Sequence, residues 1–247
     1  MTAAELAHSA LLRTPADWSR ARMRDWVDGA RARGEQVVTV AAPAALRDVA
    51  GARHAPDLDP GELRARPADV VARALDGGYR GLGVLVWADG VIDGASAEVH
   101  GAVETVLTDL CRDHPVSVLC VYDRDGGGRV HPHLSLGRHP GGVAEAQAHL
   151  RRTGEVLRLE GEFDVSNTDV LGAALREVTA AAPERVRVDL AGVGFLSASA
   201  ARTLAAETAG YRAGGGRVEV RDATGHPRRV LRMLRSSGVR GLDLPDL

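Results

Sequence analysis

Asp189-Leu-Ala-Gly-Val-Gly-Phe195-Leu-Ser197-Ala-Ser199-Ala-Ala-Arg-Thr-Leu204 decides how the second half of this chain is read. A buried strand at 185–190 passes through a short loop into a helix predicted over 199–211, with Leu204, Ala205 and Thr208 turned inward. Ser197 and Ser199 therefore stand where unpaired backbone N–H groups and the positive end of a helix dipole favour an anion. Two roles are open on this geometry: a serine that caps the helix, or a hydroxyl that carries phosphate.

Working outward, residues 155–160 alternate as a strand, and Gly161-Glu-Phe-Asp164 leads towards a helix with Val170, Leu171, Ala174, Leu175 and Val178 as its apolar stripe. Ser166 and Asp169 resemble a capping pair, which starts that helix at Ser166. Residues 217–221 form a further strand, and a last helix from Pro227 carries Val230, Leu231 and Leu234.

The first half has its own set of elements. Met23, Trp26, Val27 and Ala30 share one face of a helix over 17–32, and a strand follows at 37–41. Three prolines within 56–67 read as a loop, and Pro67 opens a helix with Val70, Val71, Ala74 and Leu75 inward, closed by Gly77-Gly78. A strand at 82–88, a helix at 98–112 with Val99, Val103, Val106, Leu107 and Leu110 inward, and a strand at 116–122 complete it. Buried runs alternating with amphipathic helices specify the α/β class, with a mostly parallel, Rossmann-like but degenerate sheet flanked by helices in the first half. The expected organisation is a domain at 1–140, a linker at 141–153 entered through Pro140-Gly141-Gly142, and a second domain at 154–247.

Composition narrows the function. With 247 residues, 45% hydrophobic and 26% charged, the chain is long enough for two cores and too apolar for a disordered segment. Aromatics at 3% and a net charge of -2 argue against a nucleic-acid reader and against an anionic membrane surface as partner. Every basic residue among the 31 is Arg. A Walker-type lysine, a kinase lysine and a Schiff base are thereby excluded. The first twelve residues lack the pattern of a secretory leader and no apolar stretch is long enough to span a bilayer, so a cytoplasmic location is expected. Cys111 and Cys120 read as reduced core residues.

Several local patterns carry no expected chemistry. His131-Pro-His133, with His139 nearby, offers imidazoles, but the intervening proline and the lack of a neighbouring carboxylate or thiolate point to a polar domain edge, and no metal is expected. Asp123-Arg-Asp-Gly-Gly-Gly128 starts like a calcium loop, yet its twelfth position is Leu134. Gly78-Tyr-Arg-Gly81-Leu-Gly83 precedes a strand instead of following one, which excludes a dinucleotide fingerprint, and no G-x-S-x-G elbow exists.

Gly161-Glu-Phe-Asp164, Asp189-Leu-Ala-Gly-Val-x-Phe195 and Gly214-Gly-Gly-Arg-Val-Glu-Val220 resemble, in order and spacing, the landmarks of the STAS family, the domain shared by anti-sigma factor antagonists and sulfate transporters. The resemblance implies a mixed sheet with helices in the second half. In phosphorylatable members the loop after the Phe reads Asp-Ser-Ser-Gly with the second Ser as acceptor; here those positions hold Ser197, Ala198, Ser199 and Ala200. It thus implies Ser199 as phosphorylation site, and Asp164, Ser197, Ser199 and Arg202 as the surface that binds a partner. That partner is an anti-sigma factor or a related regulator of serine-kinase fold.

His8, Gly77-Gly-Tyr79-Arg-Gly81-Leu, Glu98, Leu119-Cys-Val-Tyr122-Asp123-Arg and His131-Pro132 resemble the methanogen/methylotroph sensory (MEDS) family over residues 7–140. This resemblance implies a sensory domain open to a small-molecule ligand. Together the two imply a non-enzymatic signalling protein that needs no cofactor. The alternative is a small-molecule sensor whose second half only assembles subunits.

Overall fold

The computed structural model describes residues 7–13, 17–92, 97–123, 136–236 and 242–245. The chain divides into two compact units, the first holding residues 1–134 and 138–141, the second 135–137 and 142–247.

In the first unit the described elements run β1 (His8–Arg13), α1 (Asp17–Ala32), β2 (Glu35–Val40), α2 (Ala44–Val49), β3 (Asp57–Leu58), α3 (Pro60–Ala65), α4 (Pro67–Asp76), β4 (Gly81–Trp87), α5 (Ala88–Ile92), α6 (Ala97–Asp113) and β5 (Val116–Asp123). The strands order as β1-β5-β4-β2-β3, every pair parallel. A parallel sheet covered on both faces needs strands apolar throughout, which is why β4 and β5 are buried along almost their whole length.

Three expectations for this unit change. The stretch 56–67 is not a plain loop: Asp59 accepts the Glu62 N–H at 2.8 Å and caps α3, with Pro60 in its first turn. Leu75 is 41% exposed, because it sits about 90° around α4 from the centre of the buried Val70, Val71, Ala74 stripe. Residues 8–13, given no element from sequence, form β1, with Ala10, Leu11 and Leu12 in the core.

In the second unit the described elements are β6 (Val143–Ala144), β7 (Ala148–Thr153), β8 (Val156–Phe163), α7 (Thr168–Ala181), β9 (Arg185–Leu196), α8 (Ala198–Glu207), α9 (Ala209–Ala213), β10 (Arg217–Arg221) and α10 (Gly225–Ser236). The order is β10-β9-β8-β7-β6, parallel across β10, β9 and β8 and antiparallel across β8, β7 and β6. This is the expected mixed α/β sheet.

Its first two strands come from the segment expected as a linker. Within 141–153, Ala148 and Leu150 point into the core while their neighbours do not, and β7 joins β8 through Gly154-Glu155, with Gly154 at φ +57°. Strand β9 also runs to Leu196 instead of ending in a loop after 190. Its partner β8 shifts register at Gly161, whose φ is +93° and whose missing Cβ would lie 2.0 Å from the Gln147 carbonyl oxygen. Only glycine fits there.

Helix α7 starts at Thr168 with Asn167 at its N-cap position, one residue later than the expected cap at Ser166, because Ser166 turns back and gives both its N–H (2.7 Å) and its hydroxyl (2.5 Å) to Asp164 Oδ1. The helix expected over 199–211 divides at Thr208. The Thr208 hydroxyl donates to the Leu204 carbonyl at 2.7 Å, and the Arg212 guanidinium takes the Ala205 carbonyl at 2.7 Å, so the last turn of α8 is satisfied before α9 begins.

Candidate functional site

The parallel pairing of β8 with β9 builds the first site. The Ser197 N–H donates to the Phe163 carbonyl at 2.8 Å, which places Asp164, the next residue, beside the start of α8. Ser197 is the cap: its hydroxyl accepts the Ala200 N–H at 3.1 Å. Ser199 is half-buried in the first turn with its Oγ 2.8 Å from Ser197 Oγ, and Arg202 is exposed one turn on. Asp164, Ser197, Ser199 and Arg202 thus gather at one end of α8, and the capping role falls to Ser197.

Two apolar side chains beside this end are not among the surface residues expected from sequence. Val165, next to Asp164, is 78% exposed, and Phe195 is 37% exposed with its ring stacked on His226 at a centroid distance of 4.7 Å. The Ser199 hydroxyl thus stands at a helix N-terminus, with Asp164, Arg202 and two exposed apolar side chains at the same end.

The second site lies inside the first unit. Strand β1 supplies His8, helix α6 supplies His100, Glu104 and Thr108 at i, i+4 and i+8, and β5 supplies Cys120 and Tyr122 on one face. His139 arrives from the segment 138–141, which is pinned on both sides. The Gly141 N–H donates to the His8 carbonyl at 2.8 Å, and the Arg138 carbonyl accepts the Thr108 hydroxyl at 3.2 Å.

All of these except Thr108 are buried, and they converge on one carboxylate. Glu104 Oε2 lies 3.1 Å from His8 Nε2, 3.2 Å from His139 Nε2 and 3.9 Å from Cys120 Sγ. Its other oxygen, Oε1, accepts the Tyr122 hydroxyl at 2.8 Å and sits 3.2 Å from His100 Nε2. Burial opposes the charge on Glu104, but the imidazoles of His100, His139 and His8 outweigh it and hold the carboxyl below the usual carboxylate range. Burial, followed by the Glu104 charge, pushes the Cys120 thiol and the Tyr122 phenol well above their ordinary values.

This convergence was missed from sequence. The sequence sets His139 beside His131 and His133, which lie outside the described residues. Both cysteines are free and buried, as expected of core residues, but Cys120 also meets the cluster. The carboxylate thought to be lacking is Glu104, and its signal was visible: an acid between Val103 and Leu107 lies on the inward stripe of α6, where a carboxylate must find partners.

An open pocket of about 520 Å³ also lies in the first unit, at the starting ends of β2, β4 and β5. Trp26, Arg33, Glu35 and Ser117 line it, with the Ser117 hydroxyl donating to Glu35 Oε2 at 2.6 Å.

Residues 148–244 match the family model described as Mlab, STAS domain. The match begins on the first residue of β7, runs through the α8 site and ends just past the short bridge between Asp243 and β10. No curated protein matches the chain. No helix among the described residues is long and apolar enough to cross a membrane.

Proposed function

We propose that this chain is a non-enzymatic signalling protein of the anti-sigma factor antagonist kind, which docks a regulator of serine-kinase fold through the α8 end of its STAS unit. The observation that carries the reading is the division of labour between Ser197 and Ser199 inside the matched region: Ser197 caps α8, which leaves the Ser199 hydroxyl available for modification. A phosphate on Ser199 adds roughly -1.5 to -2 charges at a helix N-terminus. The dipole there stabilises an anion, so modification leaves α8 intact and acts on the partner. Asp164, beside the same end, strengthens the repulsion of an acidic or apolar docking face. Val165 and Phe195 supply the apolar contact that the unmodified form offers.

Input comes from the first unit in this reading, and the pocket lined by Trp26, Arg33, Glu35 and Ser117 is of a size that holds a small molecule. The sensory, MEDS-like role of that unit and a cytoplasmic location belong to the same proposal.

The test is capture of partners from the native host on immobilised wild-type, Ser199→Asp and Ser199→Ala full-length chains, with bound proteins and bait phosphorylation read by mass spectrometry. A serine-kinase-fold regulator is expected on wild type and Ser199→Ala and is lost on Ser199→Asp. Equal capture by all three, or phosphate labelling that persists in Ser199→Ala, overturns the switch.

A further inference from the structure

Four potential donors in the first unit, from His8, Glu104, Cys120 and His139, are all buried and all lie within 4.8 Å of one another. The individual edges are 3.1 Å from His8 Nε2 to Glu104 Oε2, 3.2 Å from His139 Nε2 to the same oxygen, 3.4 Å from His8 Nε2 to Cys120 Sγ and 3.9 Å from Cys120 Sγ to Oε2. Bonds of about 2.0–2.3 Å around a tetrahedral zinc ion place its N, O and S donors about 3.3–3.6 Å apart. Four of the six donor–donor edges, at 3.1–3.9 Å, lie close to that spacing and the remaining two are within 4.8 Å, so the donors need only draw in slightly to form a four-coordinate shell. We propose that His8, Glu104, Cys120 and His139 bind one transition-metal dication of zinc type, as a closed tetrahedral site in the first unit.

Three further features agree. The surroundings hold the donors in place: Thr108 Oγ1 lies 2.9 Å from His8 Nδ1, the ring nitrogen facing away from the cluster, and Tyr122 and His100 occupy Oε1 so that Oε2 is left to face the ion. Charge balances as well. A dication with one carboxylate and one thiolate is neutral overall, which suits a site walled off from water. Softness completes the match, since a thiolate with two imidazoles selects zinc-like ions over magnesium or calcium. On binding, the Cys120 thiol gives up its proton to solvent, the His8 and His139 rings bind as neutral imidazoles with the proton on Nδ1 and any second proton released to solvent, sulfur–metal and Nε2–metal bonds form, and no electron is transferred.

With four protein donors no position is left open for substrate, so the ion holds β1, α6, β5 and residue 139 together. Because the donors are fully enclosed, it enters as the unit folds or opens, and its binding energy adds to folding. This site is independent of the α8 end and stands or falls separately from the docking reading.

The full-length chain, stripped with chelator under reducing conditions, is titrated with Co²⁺ and then Zn²⁺. One equivalent of Co²⁺ is expected to give intense visible bands of a tetrahedral ion and a thiolate-to-metal charge-transfer band, both removed by Zn²⁺. Cys120→Ser is expected to lose the charge-transfer band, Cys111→Ser to keep it, and Thr108→Val to bind about 10–100-fold more weakly. X-ray absorption on the zinc-loaded wild type, which needs no variant to fold, is expected to show one sulfur and three nitrogen or oxygen neighbours. A chain that takes up no stoichiometric metal, a spectrum of an octahedral ion without sulfur, or bands unchanged in Cys120→Ser overturns the proposal.

Discussion

Ser197 Oγ lies 2.8 Å from Ser199 Oγ while also accepting the Ala200 N–H at 3.1 Å, so one hydroxyl anchors the helix and the other rests against it. The sequence offers either serine as the cap; the geometry gives that duty to Ser197. Ser197→Ala removes the cap and is expected to cost about 0.5–2 kcal/mol, whereas Ser199→Ala removes no backbone partner and is expected to cost well under half of that. All three tryptophans, Trp18, Trp26 and Trp87, belong to the first unit, so far-UV circular dichroism rather than tryptophan fluorescence must follow the second during denaturation. Equal losses for the two variants contradict the division.

Gly161 supplies a sharper test of the second sheet. At φ +93°, and with a Cβ that would meet the Gln147 carbonyl oxygen at 2.0 Å, Gly161→Ala must move backbone in either β8 or the turn before β7. A loss of about 1–3 kcal/mol or more is expected. Gly194→Ala is the control, because its Cβ would meet nothing nearer than the Gly161 carbonyl oxygen at 4.0 Å. Comparable stability of the two variants in urea titrations contradicts the bulged register at Gly161.

Elements with a full apolar stripe were legible from residues alone. Helix α1 follows Met23, Val27 and Ala30 over the predicted span, and the five stripe positions of α7 are all buried. What stayed hidden lacks a local period. Strand β7 alternates one small and one large apolar residue with His149 and two arginines, so it imitates a polar linker until β8 lies beside it. Strand β1 offers only Ala10, Leu11 and Leu12. The cluster at Glu104 is less legible still, since its donors come from positions 8, 104, 120 and 139 with no spacing of a metal motif. Parallel β1 and β5 bring the first and third of these together, with Ala10 opposite Cys120. At the α8 end, Ser197, Ser199 and Arg202 are legible together because they are nearly contiguous, whereas Asp164 is 33 residues away and joins them only through the pairing of β8 with β9.

Cys111 gives a pH dependence with a definite sign. Burial, followed by the Glu35 carboxylate, pushes its thiol up to about 12, against about 8.5 in an unfolded chain. The native state keeps a proton that the unfolded state releases. Its stabilising effect is therefore whole below about pH 8.5 and declines as pH rises towards the folded value, by up to about 1.4 kcal/mol per pH unit. Tryptophan-monitored denaturation between pH 8 and 10 is expected to show this decline in wild type and a shallower one in Cys111→Ala. Identical slopes, or rapid alkylation of Cys111 in the native chain at pH 8, contradict the buried neutral thiol.

Tyr122 tests how the buried carboxylate is held in the absence of metal. Its hydroxyl donates to Glu104 Oε1 at 2.8 Å from the middle of the core, and His100 Nε2 at 3.2 Å is the other group on that oxygen. Tyr122→Phe keeps the ring and its packing but withdraws one donor from an enclosed charge. Hydrogen bonds to charged groups contribute about 1.5–3 kcal/mol each, so a loss in that range is expected in chelator-treated protein. The urea midpoint by tryptophan fluorescence should fall with its slope unchanged, because the surface exposed on unfolding is the same. Glu104→Gln with Tyr122→Phe completes the cycle: once the charge is gone the phenol should matter less, and the double variant should lose less than the sum of the two single changes. Strict additivity separates the two residues energetically and contradicts the hydrogen bond as the link between β5 and α6.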